Sequence, residues 1–250
     1  MGKKDLRMYA LLEVLRSSPL LSIKELAERF DVSEMTIRRD LDYLKENQLL
    51  YEPGPVKHQA DEYIYSEEQI KHLEKKRRIA RFAAELIKPE DILILDSGTT
   101  TGELSRYLPQ GFPLTVLCYN FHILSQLHKQ DNLSLIFAGG HYHKRDLMFE
   151  CEEGVELIKR TRASKMFVSA SGIHDKLGLT CAYPHETATK RAAIGSALAK
   201  ILVADSSKFG EVRPGYFARL SEIDEIVTDT DLTKEWREQI ASQGIVLHLV

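Results

Sequence analysis

Val32-Ser33-Glu34-Met35-Thr36-Ile37-Arg38-Arg39-Asp40-Leu41 is the stretch that decides how this chain is organised. On a helix, Ile37, Leu41 and Leu44 recur at four- and three-residue spacing and share one face. At about 100° per residue, Met35, Arg38, Arg39 and Asp42 fall on the opposite face, and Glu34 and Thr36 occupy the first turn. Ser33 stands where an N-cap belongs. The pattern predicts a helix that buries one stripe and offers Ser33, Glu34, Met35, Thr36, Arg38 and Arg39 to a partner. Helices of this kind read DNA, with first-turn residues at base edges and arginines on guanine or phosphate. A lone Arg-Arg pair is more often a solvated face, so the flanking sequence has to decide.

The flanks decide for DNA. Upstream, Ser22-Ile23-Lys24-Glu25 forms a capping box before a helix whose apolar face is Ile23, Leu26, Ala27 and Phe30. Asp31-Val32 makes a short turn between the two helices. Further upstream, Leu6, Tyr9, Leu12 and Leu15 stripe a first helix over 5–17 that Pro19 ends. Three short helices with so tight a turn predict a helix-turn-helix. Downstream, a short strand from Leu49, the turn Pro53-Gly54-Pro55 and then Val56-Lys57-His58 predict a small hairpin, the wing of a winged helix. The polar, aperiodic residues that follow mark a boundary. The expected division is 1–60 for a winged helix-turn-helix, 61–88 for a linker with a charged helix, and 89–250 for a larger domain.

The chain's 250 residues suit two domains. Its 34 basic and 37 acidic side chains give a net charge of −3, so it is no bulk electrostatic binder of nucleic acid. Cys118, Cys151 and Cys181 are an odd number without CxxC spacing, which argues against a disulfide framework and for the cytoplasm. No apolar run approaches the roughly 20 residues of a membrane span. Glu13 and Arg16 interrupt the only stretch resembling a signal peptide.

Beyond the boundary, the sequence predicts a long charged helix from about 67 to 87, with Lys75, Lys76, Arg77, Arg78 and Arg81 on a solvated face and Ile70, Leu73, Ile79, Phe82 and Leu86 as buried positions. The alternative for the basic residues is contact with phosphates or transmission of the ligand state to the DNA-binding domain. Apolar runs then alternate with helical stretches. Strands are expected at Ile92–Leu95, Leu114–Cys118, Leu133–Phe137, Met166–Ala170, Ile201–Ala204, Ile226–Thr228 and Ile245–Leu249. Helices are expected over 101–108, 120–130, 185–199 and 233–243. Such alternation predicts a mainly parallel sheet covered on both faces, an α/β domain.

Several strand ends carry residues suited to a ligand. Asp96-Ser97-Gly98-Thr99-Thr100-Thr101 follows the first strand and opens a helix, offering free N–H groups and three threonine hydroxyls to an anion such as a phosphosugar. Tyr119-Asn120, Gly139-Gly140, Ser169-Ala170-Ser171-Gly172 and Asp205-Ser206-Ser207-Lys208 end later strands. In open α/β sheets such turns converge on one crevice, where Lys208 supplies a point charge and Asp205 accepts sugar hydroxyls. Glu186 and Lys190, at i,i+4 on a helix after Pro184, join the candidates either as ligand-binding groups or as an acid/base pair. His141 and His143 lack partners in a metal-ligating pattern, so no metal is expected. Cys181 is read as a packing residue.

Residues 32–41 resemble the helix-turn-helix signature of the DeoR family of bacterial transcriptional regulators. The wing departs from the Gly-Gly-Ala element of many members, having Glu52-Pro53-Gly54-Pro55 there. The C-terminal half resembles the family's sensor domain, which shares its fold with ribose-5-phosphate isomerase and coenzyme A transferases. The resemblance places phosphosugar-binding positions at Asp96, Gly98, Thr99, Thr100, Asn120, Gly139, Gly140 and Lys208. Ser33 to Leu41, Gly98 to Thr101, Cys118-Tyr119, Gly178 to Cys181, Ser207 to Gly210 and Val212 to Pro214 are similar to members that repress nucleoside catabolism genes. Deoxyribose 5-phosphate releases those members from DNA. The resemblance thus implies a repressor of deoxyribonucleoside or sugar catabolism with no catalytic residues and no cofactor. One recognition helix covers few base pairs, so a homo-oligomer, dimer or larger, is expected on duplex operator DNA. The rival reading is a sugar-phosphate isomerase or transferase carrying an accessory DNA-binding domain.

Overall fold

The structure is a computed structural model that describes residues 11, 14, 23–46 and 63–250, with side chains omitted for 42–46. All but residues 11 and 14 of the expected helix over 5–17, the Ser22 cap, the wing and the Asp42 side chain lie outside the described residues. Contacts divide the chain into two compact units, 1–61 and 62–250.

In the first unit, α1 (Ile23–Phe30) and α2 (Glu34–Glu46) are joined by a turn in which Asp31 is left-handed, at φ +51°. The Ser33 hydroxyl accepts the Thr36 N–H at 3.2 Å and caps α2. Leu11, Leu26, Ala27 and Ile37 form the buried core, with Val14, Ile23, Phe30, Val32 and Leu41 packed against them. The face carrying Arg38 and Arg39 is left to solvent.

The second unit is built on seven parallel strands: β1 (Ile92–Leu95), β2 (Leu114–Cys118), β3 (Leu133–Phe137), β6 (Ala163–Val168), β9 (Ala197–Val203), β11 (Glu225–Thr228) and β12 (Val246–Leu249). Their spatial order is β12-β11-β9-β6-β1-β2-β3. Successive side chains point to opposite faces, so Ile94 enters one core while Leu93 and Leu95 enter the other. Both faces are covered, which is why the strands read as apolar runs. Against one face lie α4 (Leu73–Glu85), α5 (Thr99–Leu104) and α6 (Phe121–Leu127). Against the other lie α7 (Glu152–Arg160), α8 (Glu186–Gly195) and α9 (Lys234–Ser242). No helix among the described residues is long and apolar enough to cross a membrane.

Four features depart from the sequence reading. The hairpin β4 (His141–His143) with β5 (Met148–Glu150), the antiparallel sheet of β7 (Gly172–His174), β8 (Gly178–Cys181) and β10 (Gly215–Ala218), and α7 were not expected. These strands are as short as β1 and β11 but mix glycine and polar residues into three or four positions, so no apolar run marks them. The helix expected over 67–87 is two helices, α3 (Tyr65–Ile70) and α4, broken at His72, which is left-handed at φ +53°. The Lys76 ammonium stabilises the break by donating to the carbonyls of Glu68 and, at 2.7 Å, Lys71. The solvated-face reading of this helix is therefore corrected. Lys76 is buried, Lys75 bridges Asp229 and Asp231 at 2.9 and 2.8 Å, and Ala80 and Ala83 are core residues; Ile79 is buried as its spacing predicts, whereas Ile70 is exposed. The helix belongs to the α/β unit and is no linker.

Candidate functional site

The chain order of the sheet reverses between β1 and β6, since β2 and β3 continue to one side and β9, β11 and β12 to the other. At such a switch point the turns leaving adjacent strands diverge and open a crevice at the carboxyl edge. The turn after β1, Asp96 to Thr101, and the turn after β6, Ser169 to Ser171, therefore flank one cleft. Gly98 is required there because a Cβ on it would lie 2.3 Å from the Ser169 Cβ.

Asp96 holds the two turns together. Its Oδ1 accepts from the Tyr119 hydroxyl at 2.6 Å and the Ser97 N–H at 2.8 Å. Its Oδ2 accepts from the Ser169 N–H at 2.8 Å, the Ser169 hydroxyl at 3.0 Å and the Lys190 ammonium at 2.7 Å. Burial alone would raise the Asp96 pKa, but Lys190 and these bonds overcome it and keep the carboxyl below its ordinary range. Burial pushes Glu186 up to about 7, although Lys190, 3.8 Å away, and the Tyr183 N–H both favour its ionised form.

The cleft is narrow, with a cavity volume of about 20 Å³, room for about one water molecule. That is far below the range for small-molecule sites, so a sugar enters only if lining side chains move. Of the residues chosen from sequence, Gly98, Thr99, Thr100, Ser171, Glu186, Lys190 and Lys208 line it together. Ser97, Ser169, Tyr63 and Glu68 also line it. The buried Ser97 hydroxyl has no hydrogen-bond partner among the described residues. The first-turn N–H groups of Thr99 and Thr100 have no acceptor within their own helix. Sequence reading passed over Tyr63 and Glu68 because they precede the first strand; Ser97 sits inside the quoted turn.

The other sequence candidates lie outside the lining. Asp96 is saturated and out of contact with solvent. The Thr101 hydroxyl donates to the Asp96 carbonyl at 2.6 Å and accepts from the Gly98 N–H at 2.9 Å, which locks the turn. Asn120 caps α6 through His122 N–H at 2.9 Å and ties Asp146 by its amide. Gly140, at φ +136°, passes so close to the Glu150 backbone that a Cβ would sit 2.4 Å from its carbonyl oxygen, and Gly139 precedes it. Gly172 begins β7. Asp205 Oδ1 accepts the Ser207 N–H at 3.1 Å, and its buried Oδ2 has no hydrogen-bond partner among the described residues.

Elsewhere, His143 stacks on His185 with centroids 3.6 Å apart, and the two rings are held by Glu150 and Asp146. Among the described residues no group of three or more His, Cys, Asp or Glu is arranged to hold a metal ion. Burial pushes the Cys181 thiol up to about 12, as suits a packing residue. On the first unit, Ser33, Glu34, Met35, Arg38 and Arg39 are exposed and Thr36 is half-buried.

A helix-turn-helix followed by a doubly wound α/β unit with a polar cleft is the build of a DNA-binding regulator with a sensor domain. Residues 7–51 match the DeoR-like helix-turn-helix domain, and residues 71–230 match the DeoR C terminal sensor domain. The chain belongs to the DeoR family of transcriptional regulators. It is 31% identical over 251 residues to the Deoxyribose operon repressor of Escherichia coli (strain K12), covering 98% of each chain. It is 32% identical over 250 residues to the Lactose phosphotransferase system repressor of Staphylococcus epidermidis, covering 97% of this chain and 98% of that one. Among solved structures, ribose 5-phosphate isomerase A of Methanocaldococcus jannaschii matches at 14% identity and a TM-score of 0.41, over 54% of this chain and 53% of that one.

Proposed function

We propose that this regulator binds operator DNA through α2 and a phosphosugar through the switch-point cleft, and that the sugar releases the DNA. The observation that carries the reading is the lining of the cleft. The unpartnered Ser97 hydroxyl, the Thr99 and Thr100 N–H groups and the Lys208 ammonium meet at the carboxyl edge of the sheet. That set suits a phosphate, with Ser171 and Glu186 placed for sugar hydroxyls. Lys190, chosen from sequence as a contact, gives its three donors to Asp96 and Ser169 and holds the wall of the cleft instead. Asp96, Thr101, Asn120, Gly139, Gly140, Gly172 and Asp205 shape the turns around it. On the DNA side, Ser33, Glu34, Met35, Thr36, Arg38 and Arg39 form the contact face.

Deoxyribose 5-phosphate is the effector we favour. The relative named Deoxyribose operon repressor and the stretches Gly98–Thr101 and Ser207–Gly210 support it. The targets would be deoxyribonucleoside or sugar catabolism genes, bound in the cytoplasm by a homo-oligomer. Differential scanning fluorimetry against a panel of phosphosugars tests the choice, since a ligand of the native state raises its apparent stability. A panel that leaves the melting temperature unchanged removes the sensor reading.

One observation favours a second reading. A buried carboxyl with a pKa near 7, beside a lysine in a cleft, is also what proton transfer in a sugar isomerase uses. Incubation with ribose 5-phosphate or deoxyribose 5-phosphate separates the two. Under the sensor reading the sugar is recovered unchanged; turnover lost in Glu186→Gln would establish the enzyme.

A further inference from the structure

Two lysines line the cleft, and each already holds a carboxylate. Lys190 pairs with Asp96 at 2.7 Å, and Lys208 Nζ lies 3.0 Å from Glu68 Oε2. Among the described residues an arriving anion therefore meets no unpaired ammonium, and one of the resident carboxylates has to yield. Asp96 cannot, because it accepts five hydrogen bonds and is out of contact with solvent. Glu68 can. Its other oxygen, Oε1, lies 2.6 Å from the ammonium of Lys71, an exposed residue, so a second cation keeps it paired once Lys208 is taken.

The backbone that carries Glu68 is fastened independently of its carboxylate. Tyr65 N–H donates to the Arg145 carbonyl at 2.8 Å, and the Tyr183 hydroxyl donates to the Tyr63 carbonyl at 2.6 Å. Lys76 grips the Glu68 and Lys71 carbonyls from below. Exchange at Lys208 is thus a movement of one side chain, with α3 left in place.

We infer that Glu68 is the resident counter-anion of Lys208, displaced by the phosphate of the ligand, and that it sets the charge the cleft demands. The inference rests on the reading of the cleft as a phosphosugar site. Glu68 is tethered beside Lys208 and competes at high effective concentration. A neutral sugar offers Lys208 nothing in exchange. A phosphate dianion brings more charge than a carboxylate and has further oxygens for Ser97 and the Thr99 and Thr100 N–H groups. Glu68 thereby filters sugars by charge.

Calorimetric titration of the full chain with deoxyribose 5-phosphate and with deoxyribose tests this. Glu68→Gln is expected to bind deoxyribose 5-phosphate at least about tenfold more tightly than the wild type, with no gain for deoxyribose. Glu68→Asp retains the charge but is one methylene short of Lys208, and is expected to show a smaller gain. Lys71→Gln removes the neighbouring ion pair alone and is expected to bind no more tightly than the wild type. If neither Glu68 variant tightens while the wild type binds and Lys208→Gln does not, the counter-anion role is overturned and the phosphosugar reading stands. A Lys71→Gln gain equal to that of Glu68→Gln also overturns it, by tracing the effect to a loosened α3. No binding of deoxyribose 5-phosphate or any other phosphosugar by wild type and variants alike overturns the reading of the cleft, and the inference falls with it.

Discussion

Lys190 Nζ lies 2.7 Å from Asp96 Oδ2, and neither side chain touches solvent to any useful extent. The pair spans 94 residues of sequence and ties α8 to the turn after β1. Removing one partner leaves a buried charge uncompensated, at a cost of about 3–5 kcal/mol. Asp96→Asn and Lys190→Met should each destabilise by that order, and the double variant by well under their sum. Urea denaturation of the four proteins checks it. Additive costs would mean that the pair is not coupled.

Glu186 ties stability to pH. Burial raises its folded pKa to about 7, above the value of 4.5 for a free glutamate. Below the lower value it is protonated whether folded or not and contributes nothing. Between the two, only the unfolded chain releases the proton, so stability falls as pH rises, and the penalty is complete above the folded value. Glu186→Gln should remove that penalty. Its stability relative to wild type should improve by roughly 2–4 kcal/mol between pH 4 and pH 8. A difference that does not change with pH would contradict the raised pKa.

Gly98 stands where β1 and β6 part. Gly98→Ala places a Cβ 2.3 Å from the Ser169 Cβ and 2.5 Å from its hydroxyl oxygen. Overpacking of this kind costs about 1–3 kcal/mol. Ser169→Gly in the same chain removes both colliding atoms and should recover part of the melting temperature lost in Gly98→Ala. A double variant less stable than either single variant would show that the contact is not what excludes alanine.

Arg38 and Arg39 are exposed on the first half of α2. If each contacts a guanine, Arg38→Ala and Arg39→Ala should weaken specific binding by roughly 1–3 kcal/mol apiece. Fluorescence anisotropy with a duplex selected by this protein from a randomised pool measures it. Undiminished affinity in the double variant would remove α2 from the DNA interface.

How much of this was legible varied with the length of each pattern. The stripe Ile37-Leu41 opposite Arg38-Arg39 announced the inner and outer faces of α2. Ile92–Leu95 and Leu114–Cys118 read as strands because both faces of the sheet are covered. The turn at Gly98 stood out because a glycine and three threonines follow an apolar run. The partner of each charged group did not show. In the sequence Asp96 looks like a ligand contact, because nothing local announces that Lys190 and Ser169 reach it from far along the chain. Lys208 looks like a free cation in the sequence, because its partner Glu68 lies in a segment whose pattern predicts a solvated helix. The break at His72 was hidden because good helix formers continue on both sides, and the lysine that stabilises it comes from the next turn.

The most direct test of the account is to titrate deoxyribose 5-phosphate into the complex of the full chain with its selected duplex, read by fluorescence anisotropy. Release requires the sugar to prefer the DNA-free protein, and by reciprocity DNA must weaken sugar binding by the same factor, typically 5- to 150-fold for a coupling of about 1–3 kcal/mol. The account predicts release from the wild type, and from Lys208→Ala full DNA affinity with no release. A complex that stays intact at saturating sugar, or a Lys208→Ala protein that loses DNA and sugar binding together, would contradict it.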